Sequence, residues 1–184
     1  MSYPIMTGAA RLLAVVAALF GVLHQPENSS TAKIPIAPVQ DHLRKAAHRK
    51  TIQELAGPFA GMALSAAHKV HVPPRLVAAV IQVENGGNFY RSAVRVSPAG
   101  AIGVMQLEPT TAWDVLRVNP WNAKENIDGG TRYLARLLRE FHDHVRLALM
   151  AYNAGPTLVA QGFRPPAAVA YAKEVMRYSG VSQK

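Results

Sequence analysis

Glu84 is the ionisable residue whose setting invites chemistry. Counting back by four and by seven reaches Val80 and Val77, so this carboxyl continues the apolar stripe of its own helix. Burial among apolar side chains disfavours the charged form, which for a carboxyl raises the pKa. A carboxylic acid that keeps its proton near neutral pH at the mouth of a cleft is what general acid catalysis on a glycosidic oxygen requires. Periodicity alone leaves a second reading open, a helix-end glutamate that reaches solvent or pairs with an arginine.

Two other segments bring polar groups into unusual backbone settings. Ser97 to Gln106 holds Gly100 and Gly103 among small residues and ends on an amide, so both backbone and side chain can approach a ligand closely. Ala151-Tyr152-Asn153-Ala154-Gly155-Pro156 puts a phenol and an amide at the end of a buried helix, just before a chain reversal. His68 and His71, and the pair His142 and His144 around Asp143, lack a third ligand at suitable spacing, so no metal site is expected. The absence of cysteine excludes disulfides, thiolate zinc sites and a cysteine nucleophile. Trp113 and Trp121 have the surface either to stack on sugars or to pack.

The elements that must position these residues read as helices. Pro58 opens one that runs to Lys69, Pro73-Pro74 opens one that runs to Glu84, and Asn85-Gly86-Gly87 stops the second. A short helix follows Pro109. Ala123 to Phe141 is long and amphipathic, with Ile127, Leu134, Leu137, Leu138 and Phe141 inward and Arg132, Arg136 and Arg139 outward. Val145 to Ala154 and Ala167 to Tyr178 complete the set. Asn88 to Gln106 suits loops or a short β-hairpin, and Gly129-Gly130 predicts a close helix–helix approach. The class is therefore mostly α, with at most a small hairpin.

Of 184 residues, 20 are Lys or Arg and 11 are Asp or Glu, a formal charge of +9, and 49% are hydrophobic. That apolar share supplies a core, and the positive balance favours a polyanionic neighbour such as nucleic acid, an anionic membrane or an acidic wall polymer. At the N-terminus Arg11 precedes an uninterrupted apolar run from Leu12 to Leu23. As a helix that run rises only about 18 Å, short of the roughly 30 Å of a bilayer's hydrocarbon core. Residues 1–32 accordingly read as an export signal or an N-terminal anchor, and residues 33–57, with Pro35, Pro38 and a basic cluster, as a linker with a short helix. Residues 58–184 are the globular part.

Four stretches together resemble the soluble lytic transglycosylase family, lysozyme-like enzymes that cleave peptidoglycan. They are Leu76 to Glu84, Ser97 through Gln106 to Ala112, Asn126 to Leu134, and the Tyr152-Asn153-Ala154-Gly155-Pro156 close, in the family's order. The resemblance implies a lysozyme-like helical fold, with Glu84 as the single acid/base between N-acetylmuramic acid and N-acetylglucosamine and a 1,6-anhydromuramyl product. It implies that Ser97, Met105 and Gln106 line the saccharide groove and that Tyr152 and Asn153 flank the acid, with no cofactor. Asn85 stands where the family usually has Ser. The interval from Glu84 to Ser97 is several residues longer than usual, so the loop around Asn88 to Arg91 is expected to reshape the groove. Ala167-Ala168 replaces the family's Glu-Thr pair ahead of Tyr171.

The expected partner is the glycan strand of peptidoglycan, met by a monomer exported to the periplasm or cell envelope. A muramidase is the near rival. It would want a second carboxylate to activate water, and Glu108 is the candidate. A wall-binding component of a secretion or conjugation apparatus, with little turnover, is a rival from another class. Nucleic acid is not an expected partner, because the basic residues form no reading motif.

Overall fold

The computed structural model of the protein describes residues 49–182. The export segment expected over 1–32 and the linker as far as residue 48 lie outside the described residues. Helix α1 (Ile52–Ala56) begins with a complete capping box. Thr51 Oγ1 accepts from the Glu54 N–H, and the Glu54 carboxylate accepts from the Thr51 N–H. Leu55 and Ala56 are fully buried, so the boundary expected at Pro58 cuts through packed core; residues 52–57 belong to the helical domain.

A 3₁₀ turn (Gly57–Phe59) leads into α2 (Ala60–Lys69), and α3 (Pro74–Asn85) follows after Pro73. Proline at the first position of α3 costs nothing, because that N–H would have no helical partner. The helix closes on Gly86 at φ 57°, a left-handed conformation that glycine adopts without strain. Val77 and Val80, whose stripe Glu84 extends, are both wholly buried.

Helix α4 (Ala123–Glu140) is capped by Asn122, whose Oδ1 accepts from the Glu125 N–H at 3.1 Å. Its stripe Ile127, Leu134, Leu137, Leu138 is buried and Arg132, Arg136 and Arg139 are exposed, as the periodicity predicts. Then come α5 (Val145–Ala154), a short α6 (Pro156–Ala160) that the sequence reading lacks, and α7 (Pro166–Ser179). Helix α3 packs on α1, α2 and α7, while α5 packs on α4 and α7, so the core lies where these helices meet.

The fold of the described residues is mostly helical and contains no strand, only the isolated bridges Val96–Ile102 and Ile102–Leu107 in place of a hairpin. The helix expected after Pro109 is a π-helical segment, Thr111–Leu116, ending at Arg117 in the left-handed region. No helix among the described residues is long and apolar enough to cross a membrane. The glycine pair of α4 marks a close approach, Gly129 to Val118 and to Leu116 at the end of the π-helical segment, and Gly130 to Met105 in a turn. A Cβ on Gly130 would lie 2.7 Å from Met105 Sδ, and one on Gly129 would lie 3.0 Å from Val118 Cγ2.

Candidate active site

Three helices pin one loop. Asn85, at the end of α3, is buried and donates from Nδ2 to the Val104 carbonyl at 2.8 Å and to Ile81 of its own helix at 2.8 Å. Asn126, in the first turn of α4, is wholly buried; its Nδ2 donates to Ile102 and Pro120 carbonyls at 2.9 and 3.0 Å, and its Oδ1 accepts from the Met105 N–H at 2.8 Å. Tyr152, from α5, donates its hydroxyl to the Met105 carbonyl at 3.0 Å. The loop's buried backbone groups thus have partners, and its free edge is available to shape a groove.

That groove encloses about 470 Å³, and Glu84, Ser97, Gln106, Glu108, Tyr152 and Asn153 are among the residues that line it. Five of the six residues expected at a site, drawn from α3, the loop and α5, are therefore brought together. Ser97 Oγ accepts from the Ala101 N–H at 3.0 Å and closes a tight turn on the wall. Gln106 has φ 48°, and its amide donates to Gly103 at 2.8 Å, which fixes the side chain along the edge. Asn153 is exposed.

Met105 is the exception. Its side chain is wholly buried, packed against Gly130, with Sδ 3.8 Å from the Thr131 hydroxyl that donates to it. Met105 sits in the turn between Ile102 and Leu107, and Gly130, which has no side chain, leaves room for it against α4. Asn88 to Arg91 do not line the groove either. Phe89 is held edge-on to Phe59, with ring centroids 6.3 Å apart, so the lengthened loop is anchored on the first turns of the domain.

Tyr171 carries no role in the sequence alone. Its hydroxyl donates to Glu84 Oε1 at 2.7 Å, and its ring stacks on Tyr152 at 6.4 Å with the planes nearly parallel. Tyr133 tilts against Tyr152 at 5.5 Å. A signal was present: Tyr171 falls on the buried stripe of α7 with Ala168, Ala172 and Val175, and a buried phenol has to find a hydrogen-bond partner.

The electrostatics follow from this packing. Burial pushes the Glu84 carboxyl up to about 7, against the Tyr171 hydrogen bond and the Arg95 charge, which both pull it down. Burial first, then the Glu84 charge, hold both Tyr171 and Tyr152 well above the ordinary phenol range, so both remain donors. The arrangement delivers a carboxyl that is protonated in a good fraction of molecules at neutral pH, facing a polar groove.

The Transglycosylase SLT domain model matches residues 61–174, and the chain belongs to that family. It is 38% identical over 91 residues to a transglycosylase of Enterobacteria phage PRD1, covering 50% of this chain and 32% of that protein. It is 40% identical over 77 residues to the endo-type membrane-bound lytic murein transglycosylase A of Citrobacter koseri, covering 36% of each. To the membrane-bound lytic murein transglycosylase C of Actinobacillus pleuropneumoniae it is 34% identical over 115 residues, 53% of this chain and 30% of that one. The chain thus spans about a third of the length of these relatives. Among solved structures, the lytic transglycosylase Slt of Pseudomonas aeruginosa, an inactive mutant, shares the fold at a TM-score of 0.57 and 21% identity, over 78% of this chain and 27% of that one.

Proposed function

We propose that the protein is a peptidoglycan lytic transglycosylase in which Glu84 is the single acid/base. The observation that carries the reading is Glu84 itself, a carboxyl raised to about 7, fixed by Tyr171 and facing a groove in a domain of this family. The relatives are named murein transglycosylases, and the solved neighbour was inactivated by one glutamate-to-glutamine change, the residue class of Glu84.

In this reading protonated Glu84 gives its proton to the oxygen between N-acetylmuramic acid and N-acetylglucosamine as the C1–O bond breaks. The positive charge at C1 is met by the sugar's own acetamido oxygen, so no second carboxylate is needed. The Glu84 carboxylate then takes the proton of the muramyl C6 hydroxyl while O6 bonds to C1. The 1,6-anhydro ring closes, Glu84 is again protonated, and no water is consumed. Ser97, Gln106, Tyr152 and Asn153 would contact the saccharide. The cell envelope is where such a substrate lies, and an envelope-spanning secretion or conjugation apparatus would use the activity to open a local gap.

Glu108 lines the same groove and keeps a muramidase as the second reading. Reaction in ¹⁸O-labelled water separates the two: intramolecular closure leaves the released ends unlabelled, whereas hydrolysis puts one solvent oxygen on every new muramyl end.

A further inference from the structure

The end of α3 leaves one carbonyl to a side chain. Gly86 N–H donates to Gln82 and Val83, Gly87 N–H to Gln82, and Asn88 N–H to Asn85. The carbonyl of Glu84 is met by Arg95, whose Nη1 donates to it at 3.2 Å. The carbonyl of Arg95 in turn accepts from the Gly103 N–H at 2.9 Å and from Gln106 Nε2 at 3.5 Å. One residue, carried on the lengthened loop between Glu84 and Ser97, therefore touches the acid's backbone and both ends of the turn that brings Gln106 to the groove.

The charge has a consequence as well. Glu84 is faced by Tyr171 from α7, Tyr152 from α5 and Arg95 from the loop, and Glu108 lines the same groove. Both phenols stay neutral, and Arg95 is the cation that favours the ionised carboxyl. A single carboxyl that acts first as acid and then as base needs both protonation states within reach at one pH.

We propose that Arg95 is a positioning residue: it locks the Glu84 end of α3 to the Gln106 turn and keeps a positive charge beside a carboxyl that must lose and regain a proton within one turnover. The inference rests on the acid/base reading of Glu84. Arg95 is not a catalytic residue, since it acts through Glu84 and Gln106.

The test uses the full chain as wild type, Arg95→Met, Arg95→Gln and Arg95→Lys. Two quantities are followed in each: the pH–rate profile of release from soluble glycan strands, and the ¹³C NMR titration of the Glu84 carboxyl, assigned with Glu84→Gln. Arg95→Met should move the alkaline limb and the titration upward by about half a pH unit, a modest shift because the charge is exposed. It should lower kcat by about threefold to tenfold with KM within about twofold, the pattern of lost positioning. Arg95→Lys should restore the titration and part of kcat. If Arg95→Met does not fold, Arg95→Gln, which keeps a donor but no charge, carries the comparison. An unmoved titration overturns the proposal, and so does a rise in KM with kcat intact, which would make Arg95 a substrate contact. If the wild type releases no product, the proposed function fails, and the titration alone still decides the role of Arg95.

Discussion

The Tyr171 hydroxyl lies 2.7 Å from Glu84 Oε1, joining α7 to the last turn of α3 across 87 positions of sequence. The bond opposes burial, as the Arg95 charge does, and the balance leaves the carboxyl at about 7. Burial wins, because one phenol replaces only part of the hydration an ionised carboxylate loses.

Tyr171→Phe removes the opposing contact without changing the packing. The Glu84 proton should then be held to higher pH, and the alkaline limb of the pH–rate profile should move up by about one unit, the worth of a hydrogen bond to a charged group. The maximal rate should fall about tenfold as the carboxyl loses its orientation. An alkaline limb that stays in place would show that the bond does not bear on the proton.

The raised carboxyl also predicts how stability depends on pH. Between about 4.5 and 7 the folded protein holds a proton that the unfolded chain releases, so stability falls as pH rises through that window. Above 7 the ionised, partly buried Glu84 costs the fold about 3 kcal/mol at most. Glu84→Gln should therefore melt several degrees above wild type at pH 8.5 and close to it at pH 4.5. Equal melting differences at both pH values would contradict the buried setting.

Asn126→Ala leaves the buried Pro120 carbonyl and the Met105 N–H without partners, and the Ile102 carbonyl with the Leu107 N–H alone. The expected loss is about 3 kcal/mol, read as a lower urea midpoint at unchanged m-value. A change under about 0.5 kcal/mol, the range of an ordinary surface substitution, would show that the loop does not depend on this residue.

Two glycines give a paired prediction. In Gly130→Ala the new methyl would stand 2.7 Å from Met105 Sδ and 3.0 Å from its Cβ, while Asn126 and Tyr152 hold the Met105 backbone in place. Overpacking of this kind costs about 1–3 kcal/mol. Nothing lies within 4 Å of the corresponding position at the exposed Gly61 in α2, so Gly61→Ala should stabilise by about 0.5–1 kcal/mol. Thermal melts of both variants check the contrast, and the same sign for the two would refute it.

Much of this architecture is legible in the sequence because it is periodic. Helices α2, α3, α4 and α5 follow from apolar spacing and from Pro and Gly at their ends, and the stripe through Val77 and Val80 leads directly to Glu84. What escapes is set by contacts between distant residues. Met105 turns inward because Gly130, 25 positions on, leaves it room, and Asn126 reads as an ordinary helix residue until the carbonyls of Ile102 and Pro120 arrive beside it. Tyr171 looks like a core aromatic, and only the crossing of α7 over α3 gives its hydroxyl a carboxylate to meet. The segment after Pro109 forms a π-helical run where an ordinary helix was expected, a backbone choice that apolar spacing does not encode.

The most direct test of the central claim is mass spectrometry of the fragments released from intact peptidoglycan by the protein, with Glu84→Gln in parallel. Muramyl ends lighter by one water than reducing ends, present with the wild type and absent with Glu84→Gln, are the predicted result. Reducing muramyl ends from the wild type, or anhydro ends released equally by Glu84→Gln, would contradict it.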